Sequence, residues 1–232
     1  MRSILLSLLA CSFLVACSTD DATSPESPSV KLAQAGSTFS YSGYQLDLQG
    51  AKVDGTDYSF VETVLATGLT HSGKSAVWSV ESTSPNQEDT TYYCLDSGKD
   101  LLVEIDDIAG EEGAKRWIRL PVTSGTTFTD SAVTTQEVSG FPLQLETVIS
   151  AVKSGEESLS VGTESVTTMR IQVTVRIKAS LLGQVVQEAL LTQQMWFAPS
   201  IGAVIRRSAP TQQVGNETTT GFWEGLTSYT LK

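Results

Sequence analysis

From Ile171 to Ile177 the chain alternates strictly. Ile171, Val173, Val175 and Ile177 are apolar, while Gln172, Thr174 and Arg176 are polar. A period of two is that of a β-strand buried on one face. The same ingredients recur along the chain as Val, Ile, Thr and aromatic runs broken by Gly, Asp, Asn and Ser clusters, the signature of many antiparallel strands. They predict strands over 38–48, 59–69, 76–82, 91–95, 101–108 and 115–120. Further strands are predicted over 133–138, 143–152, 164–179, 184–197, 203–209 and 221–231, with a turn at Gly183.

Helix signals are sparse. Ser59-Phe60-Val61-Glu62 fits a capping box and Gly68 could end a short helix, but β-branched Val61, Thr63, Val64 and Thr67 favour a strand. Residues 187–193 fit helix and strand equally. The expectation is an all-β fold with few or no helices, a single curved antiparallel sheet or half-open β-barrel occupying residues 38–232.

The first residues differ from the rest. Arg2 precedes an almost unbroken apolar run from Ile4 to Ala16, too short for a transmembrane helix of ~20 residues and laid out like a signal peptide. Leu14-Val15-Ala16-Cys17 resembles the bacterial lipobox, in which the cysteine thiol takes a diacylglyceryl group and becomes the new N-terminus. Leu8-Leu9-Ala10-Cys11 is a weaker copy that would leave a very short apolar core. The reading is a leader over 1–16, lipidation at Cys17, and a flexible Ser, Thr, Asp and Pro-rich tether over 17–37. Ser18 stands where an inner-membrane retention signal would place Asp, which by resemblance to Gram-negative sorting implies the outer membrane. Several acyl chains give a firm anchor.

Charge narrows the partners. Without Arg2 the 15 basic residues fall to 14 against 26 acidic ones, a net of −12. That opposes nucleic-acid binding, which neutralises phosphates with Lys and Arg, and opposes electrostatic docking on anionic lipid. With Cys11 in the leader and Cys17 lipidated, Cys94 is alone, so no internal disulfide is expected and a half-buried structural thiol is the natural reading.

Candidate chemistry is thin. Gly68-Leu69-Thr70-His71-Ser72-Gly73-Lys74-Ser75 satisfies the P-loop pattern, but a P-loop needs a helix after it, and Ala76 to Ser82 reads as another strand. A hairpin loop with a solvated Lys74 is expected instead. His71 is the single histidine and falls in that turn, where a solvated loop residue is the expectation. No Gly-x-Ser-x-Gly elbow occurs, and a zinc site would need more His or Cys. Glu104, Asp106, Asp107, Glu111 and Glu112 concentrate carboxylates, yet their spacing matches no EF-hand loop, and a solvated acidic hairpin tip is the plainer reading. No catalytic residue, metal site or cofactor is therefore expected. Trp78, Trp117, Trp196 and Trp223 fall on four predicted strands. They are either core fillers or the lining of an apolar groove on the concave face of the sheet.

Three segments carry a resemblance. Gly36-Ser37-Thr38-Phe39-Ser40-Tyr41, Trp117-Ile118-Arg119-Leu120-Pro121 with Gly125 and Phe128, and Trp196-Phe197-Ala198-Pro199-Ser200-Ile201-Gly202-Ala203-Val204-Ile205-Arg206 resemble motifs of bacterial envelope lipoproteins of the TapB-like group. Ser200 replaces the usual Gly and Phe128 the usual Trp. The resemblance implies a curved sheet similar to the lipoprotein carriers LolA and LolB, wrapping an apolar groove. It implies a non-enzymatic cell-envelope lipoprotein that meets the membrane through lipid on Cys17 and binds an apolar ligand or lipid. The alternative is a protein-interaction or scaffold module with an envelope protein partner.

Overall fold

The computed structural model describes residues 30–84, 87–97, 100–106, 115–122, 127–214 and 217–232. Their regular structure is entirely strand. The first six strands are β1 (Thr38–Leu46), β2 (Tyr58–His71), β3 (Lys74–Ser84), β4 (Gln87–Leu95), β5 (Leu101–Asp106) and β6 (Lys115–Leu120). The next five are β7 (Phe128–Val138), β8 (Phe141–Val161), β9 (Glu164–Leu181), β10 (Gln184–Ala198) and β11 (Ala203–Ala209). A short hairpin, β12 (Gln212–Val214) and β13 (Glu217–Thr219), precedes β14 (Gly221–Thr230).

Twelve of these strands form one antiparallel sheet in the order β6-β5-β4-β3-β2-β1-β14-β11-β10-β9-β8-β7. It curls into a nearly closed barrel with one unsealed seam, between β6 and β7. Arg116 and Asp130 meet across the seam at 3.3 Å. The expected all-β, few-helix class and half-open barrel are what the molecule has, and the capping-box segment at Ser59 is strand.

Turn chemistry fixes the long hairpins. Ser72-Gly73, Ser139-Gly140 and Leu182-Gly183 each place two successive residues at positive φ, the two-residue turn whose twist matches that of paired strands. β8 runs much further than its alternation suggested, through charged Lys153, Glu156 and Glu157 to Val161, because β9 pairs with it as far as Glu164. Beyond the Phe197–Met169 pair this ribbon leaves β10, buries Leu159, Val161 and Val166, and reaches β14 where the Tyr229 hydroxyl donates to Glu164.

The described chain also packs earlier than the tether reading allowed. Ala33 and Ser37 are buried, Lys31 N donates to the Pro199 carbonyl at 2.7 Å, and Gly36 N donates to that of Val64 at 2.8 Å. The last residues of the expected tether, from Lys31 to Ser37, are thus held against the barrel. Gly202, in the turn between β10 and β11, lets this segment lie against that turn, since a Cβ there would meet the Lys31 carbonyl and the Ala33 nitrogen.

At the other end the walls are unequal. β1 ends at Leu46 and β14 begins at Gly221, near the level of Val173 on β9. β9 continues to Leu181, about 26 Å at ~3.3 Å per residue. Strands β7 to β10 thus stand above the mouth as a wall.

Candidate functional site

Pairing registers decide which side chains face inward. Phe39, Tyr41 and Gly43 of β1 lie beside Glu62, Phe60 and Tyr58 of β2, and Glu62 lies beside Ser82 of β3. On the far side Arg207 of β11 lies beside Glu224 of β14 and Met195 of β10. Below this level the barrel is packed. Phe39, Val64, Trp78, Val80 and Phe197 surround a cavity of only about 20 Å³, room for roughly one water.

A charged layer sits on that packed floor. The Arg207 guanidinium donates to Glu62 and lies 3.7 Å from Glu224. It rests against the rings of Tyr41 and Phe60, 5.4 and 5.8 Å from their centroids, and those two rings stack at 4.8 Å. The Tyr58 hydroxyl donates to Glu224 at 2.9 Å, and Tyr41 donates to the Val204 carbonyl at 2.7 Å. Gly43 has a structural reason: a Cβ there would meet the Tyr58 ring at 2.7 Å. Burial works against the charge on Arg207, but Glu62, followed by the phenols of Tyr41 and Tyr93 and by Glu224, overrides it and holds the guanidinium protonated. Burial first, and Glu62 second, push the Tyr93 phenol up to about 12 and Tyr41 well above its ordinary range. Tyr58 is raised by burial and then by Glu224.

Above this layer opens a polar cavity of about 690 Å³. Its inward-facing lining includes Glu62, Ser82, Asp89, Thr91, Tyr93 and Glu224. Asp57 stands at the rim, paired with Lys52 at 2.6 Å. Glu62, Asp89, Glu224 and Asp57 thus line one cavity with Arg207, which pairs with Glu62 and Glu224.

A second, apolar cavity of about 220 Å³ lies at the foot of the wall. Val173, Val175, Leu191, Ala209 and Phe222 line it, and the connection carrying the β12–β13 hairpin forms its roof. Thr211 pins that roof, accepting from Gly221 N at 2.7 Å and donating to the Leu46 carbonyl. The inward face continues up the wall as Ile177, Ala179 and Leu181 beside Thr147, Leu145 and Leu143.

The four tryptophans do not build this groove. Trp78 faces inward but into the closed floor. Trp196 and Trp223 are on the convex face, with Arg206 between them at 5.3 and 5.8 Å from their rings. Trp223 stacks on Tyr44 at 5.2 Å and Trp196 donates to Glu157. Trp117 is also on the convex face, donating to the Ser72 carbonyl at 3.2 Å. None of Trp78, Trp117, Trp196 and Trp223 lines the apolar cavity, whose apolar lining is aliphatic residues and Phe222. The reason is register: strands place Trp196 next to inward Met195 and Trp223 next to inward Glu224, so both rings point out.

His71 is not a free loop residue. The β2–β3 tip folds over the convex face, so His71 stacks on Tyr92 at 3.7 Å and its Nε2 lies 3.0 Å from Glu104. Glu104 is only 4% exposed, which removes it from the solvated acidic tip; residues 107–114, with Asp107, Glu111 and Glu112, lie outside the described ones. The P-loop-like segment is two strand ends around a two-residue turn, with Lys74 exposed. Cys94 is fully buried, and burial raises its thiol. Cys17 lies outside the described residues.

The charged layer had a signal in the sequence. Arg206 and Arg207 are adjacent in a strand, so one of them must point inward. Glu62 sits between Phe60 and Val64, and Glu224 between Phe222 and Leu226, each breaking an apolar face.

No family model matches this chain, and no curated protein matches its sequence, so the TapB-like and LolA/LolB-like grouping stands on the short motifs alone. Among solved structures it is similar to a "putative lipoprotein" from Parabacteroides distasonis ATCC 8503, with a TM-score of 0.51 at 10% identity over 86% of this chain and 97% of that one. The "hypothetical lipoprotein YmcC" from Escherichia coli aligns at a TM-score of 0.38 and 12% identity, over 84% and 88% of the two chains. The first of these likenesses establishes a shared fold.

Proposed function

We propose that this chain is a non-enzymatic lipoprotein of the cell envelope, anchored by lipid on Cys17, that holds an apolar ligand against the concave face of its β8–β10 wall. The observation that carries the reading is the apolar cavity at the foot of that wall, lined by Val173, Val175, Leu191 and Phe222 and continuous with aliphatic inward positions above it. Concave, mostly apolar sites in the mouths of β-barrels are common ligand sites. The lipobox-like Leu14-Val15-Ala16-Cys17 supports the anchor, and Ser18 supports the outer membrane. The single histidine is engaged by Glu104 and Tyr92 on the convex face, away from both cavities, which supports a binding role over catalysis.

A second reading draws on a different feature. Phe141, Leu182, Val185 and Val186 are exposed at the wall's tip, and β6 and β7 are the end strands of the sheet. Exposed apolar patches and open strand edges suit protein partners.

Native mass spectrometry of residues 18–232, exported to a periplasm without the anchor, separates the two. The expected result is a co-purifying adduct of lipid mass that disappears in Leu191→Asp and Phe222→Asp. A clean apo mass, unchanged after incubation with envelope lipids, would overturn the binding reading in favour of the interaction module.

A further inference from the structure

The polar and apolar cavities are neighbours on the same two strands. Glu224 lines the first and Phe222 the second, two residues apart on β14 and on the same face. Arg207 and Ala209 repeat the relation on β11. Same-face neighbours two residues apart are separated by about 7 Å, so these strands interpose no side chain between the cavities. One groove therefore runs from aliphatic to acidic, over a distance that a single alkyl chain with its head group covers.

The charge of the acidic end is unbalanced. Arg207 is already engaged by both Glu62 and Glu224, which leaves it poorly placed to receive an anionic head. Asp89 faces the same space and has no ion-pair partner among the described residues, and Asp57 at the rim shares Lys52 with solvent. A cleft lined by one sign of charge within low-dielectric walls concentrates ions of the opposite sign. Hydroxyls of Ser82 and Thr91 and the rings of Tyr58 and Tyr93 supply further acceptors and π-faces for a cation.

We propose that the ligand is an amphiphile with an amine-bearing, cationic head, its alkyl chain between β9, β10 and the β12–β13 roof and its ammonium over the Arg207–Glu62–Glu224 layer among Asp57, Asp89 and Glu224. This rests on the apolar-ligand reading above and names the head group of that ligand.

The test uses the full-length protein in the membranes that carry it. Matched photoreactive dodecyl probes bearing an ammonium, a carboxylate or a maltoside head are crosslinked to it, and labelled peptides are quantified by mass spectrometry. Labelling of the segments holding Val173, Val175 and Leu191 by the ammonium probe should exceed that by the carboxylate probe by about tenfold, the lower end of electrostatic concentration in a charged cleft. The exposed-carboxylate variant Asp57→Asn with Asp89→Asn, which leaves the Arg207 layer intact, should bring that ratio down several-fold. Equal labelling of the wall by all three heads would overturn the cationic head while leaving the apolar ligand standing. Absence of wall labelling by any probe would overturn both.

Discussion

The arc from β6 through β1 to β14 and the wall from β7 to β10 are built from the same alternating strands, yet their inward faces differ in kind. The arc turns Tyr41, Phe60, Glu62, Tyr93 and Glu224 inward, and these are satisfied by one another and by Arg207 arriving from β11. The wall turns Leu143, Leu145, Ile177, Ala179 and Leu181 inward at a height that β1 and β14 do not reach. Its tip leaves Phe141, Leu182, Val185 and Val186 exposed. Where strands face other strands, an inward charge finds partners and a low-dielectric setting that strengthens them. Where strands outrun the opposite side, an inward charge has no such partner, and aliphatic residues remain to be covered by something else. The arc's inward face is thus held together by its own charges and rings, and the proposed alkyl-chain site lies on the wall.

The sharpest way to break that division is Arg207→Met. It leaves Glu62 and Glu224 facing each other without their cation, and removing one partner of a buried ion cluster destabilises by about 3–5 kcal/mol. Urea denaturation should show a loss in that range, far larger than any single aliphatic change at the wall's tip. A loss below ~1 kcal/mol would mean the charged layer does not hold the arc together.

Alkaline pH probes the same layer more gently. Tyr93 has a folded pKa raised from 10.0 to about 12 by burial and Glu62. A raised folded pKa contributes stability that is fully present below the unfolded value and lost as pH climbs through the folded one. Unfolding free energy should thus fall between pH 10 and about 12. Tyr93→Phe should flatten that fall by on the order of 1–2 kcal/mol, while raised Tyr41 and Tyr58 keep part of it. An unchanged slope in the variant would place Tyr93 outside the layer.

The smallest effect is expected at the tip. Leu182 holds φ 51 while 67% exposed, a conformation that suits Asn in a two-residue turn before Gly183. Leu182→Asn should raise stability by about 0.5 kcal/mol in the same urea titration, leaving the alkaline profile unchanged. A loss of several kcal/mol there would show the wall's tip to be part of the core.

How much of this was readable beforehand depends on the range of the interaction. Lys115–Leu120 and Ala203–Ala209 fall where their alternation put them, since a strand buried on one face writes its own period. β8 beyond Val152 was hidden because its charged residues are held by pairing with β9, a contact no local pattern reports. The roof hairpin, β12 and β13, is too short to carry a period. Arg207 and Glu62 were legible only as inward-facing exceptions, and nothing local said that they meet.

What the sequence determined by itself is the strand content, the turns at Ser72-Gly73 and Leu182-Gly183, and the two-faced character of each strand, all set by backbone sterics and burial within a few residues. Tertiary structure alone decided which face became the inside of the barrel. That choice sent Trp196 and Trp223 outward, brought Arg207 between Glu62 and Glu224, and set an acidic cavity beside an apolar one. The physical reason is that closing a sheet joins residues more than a hundred positions apart, and only closure determines what each inward side chain finds across the lumen.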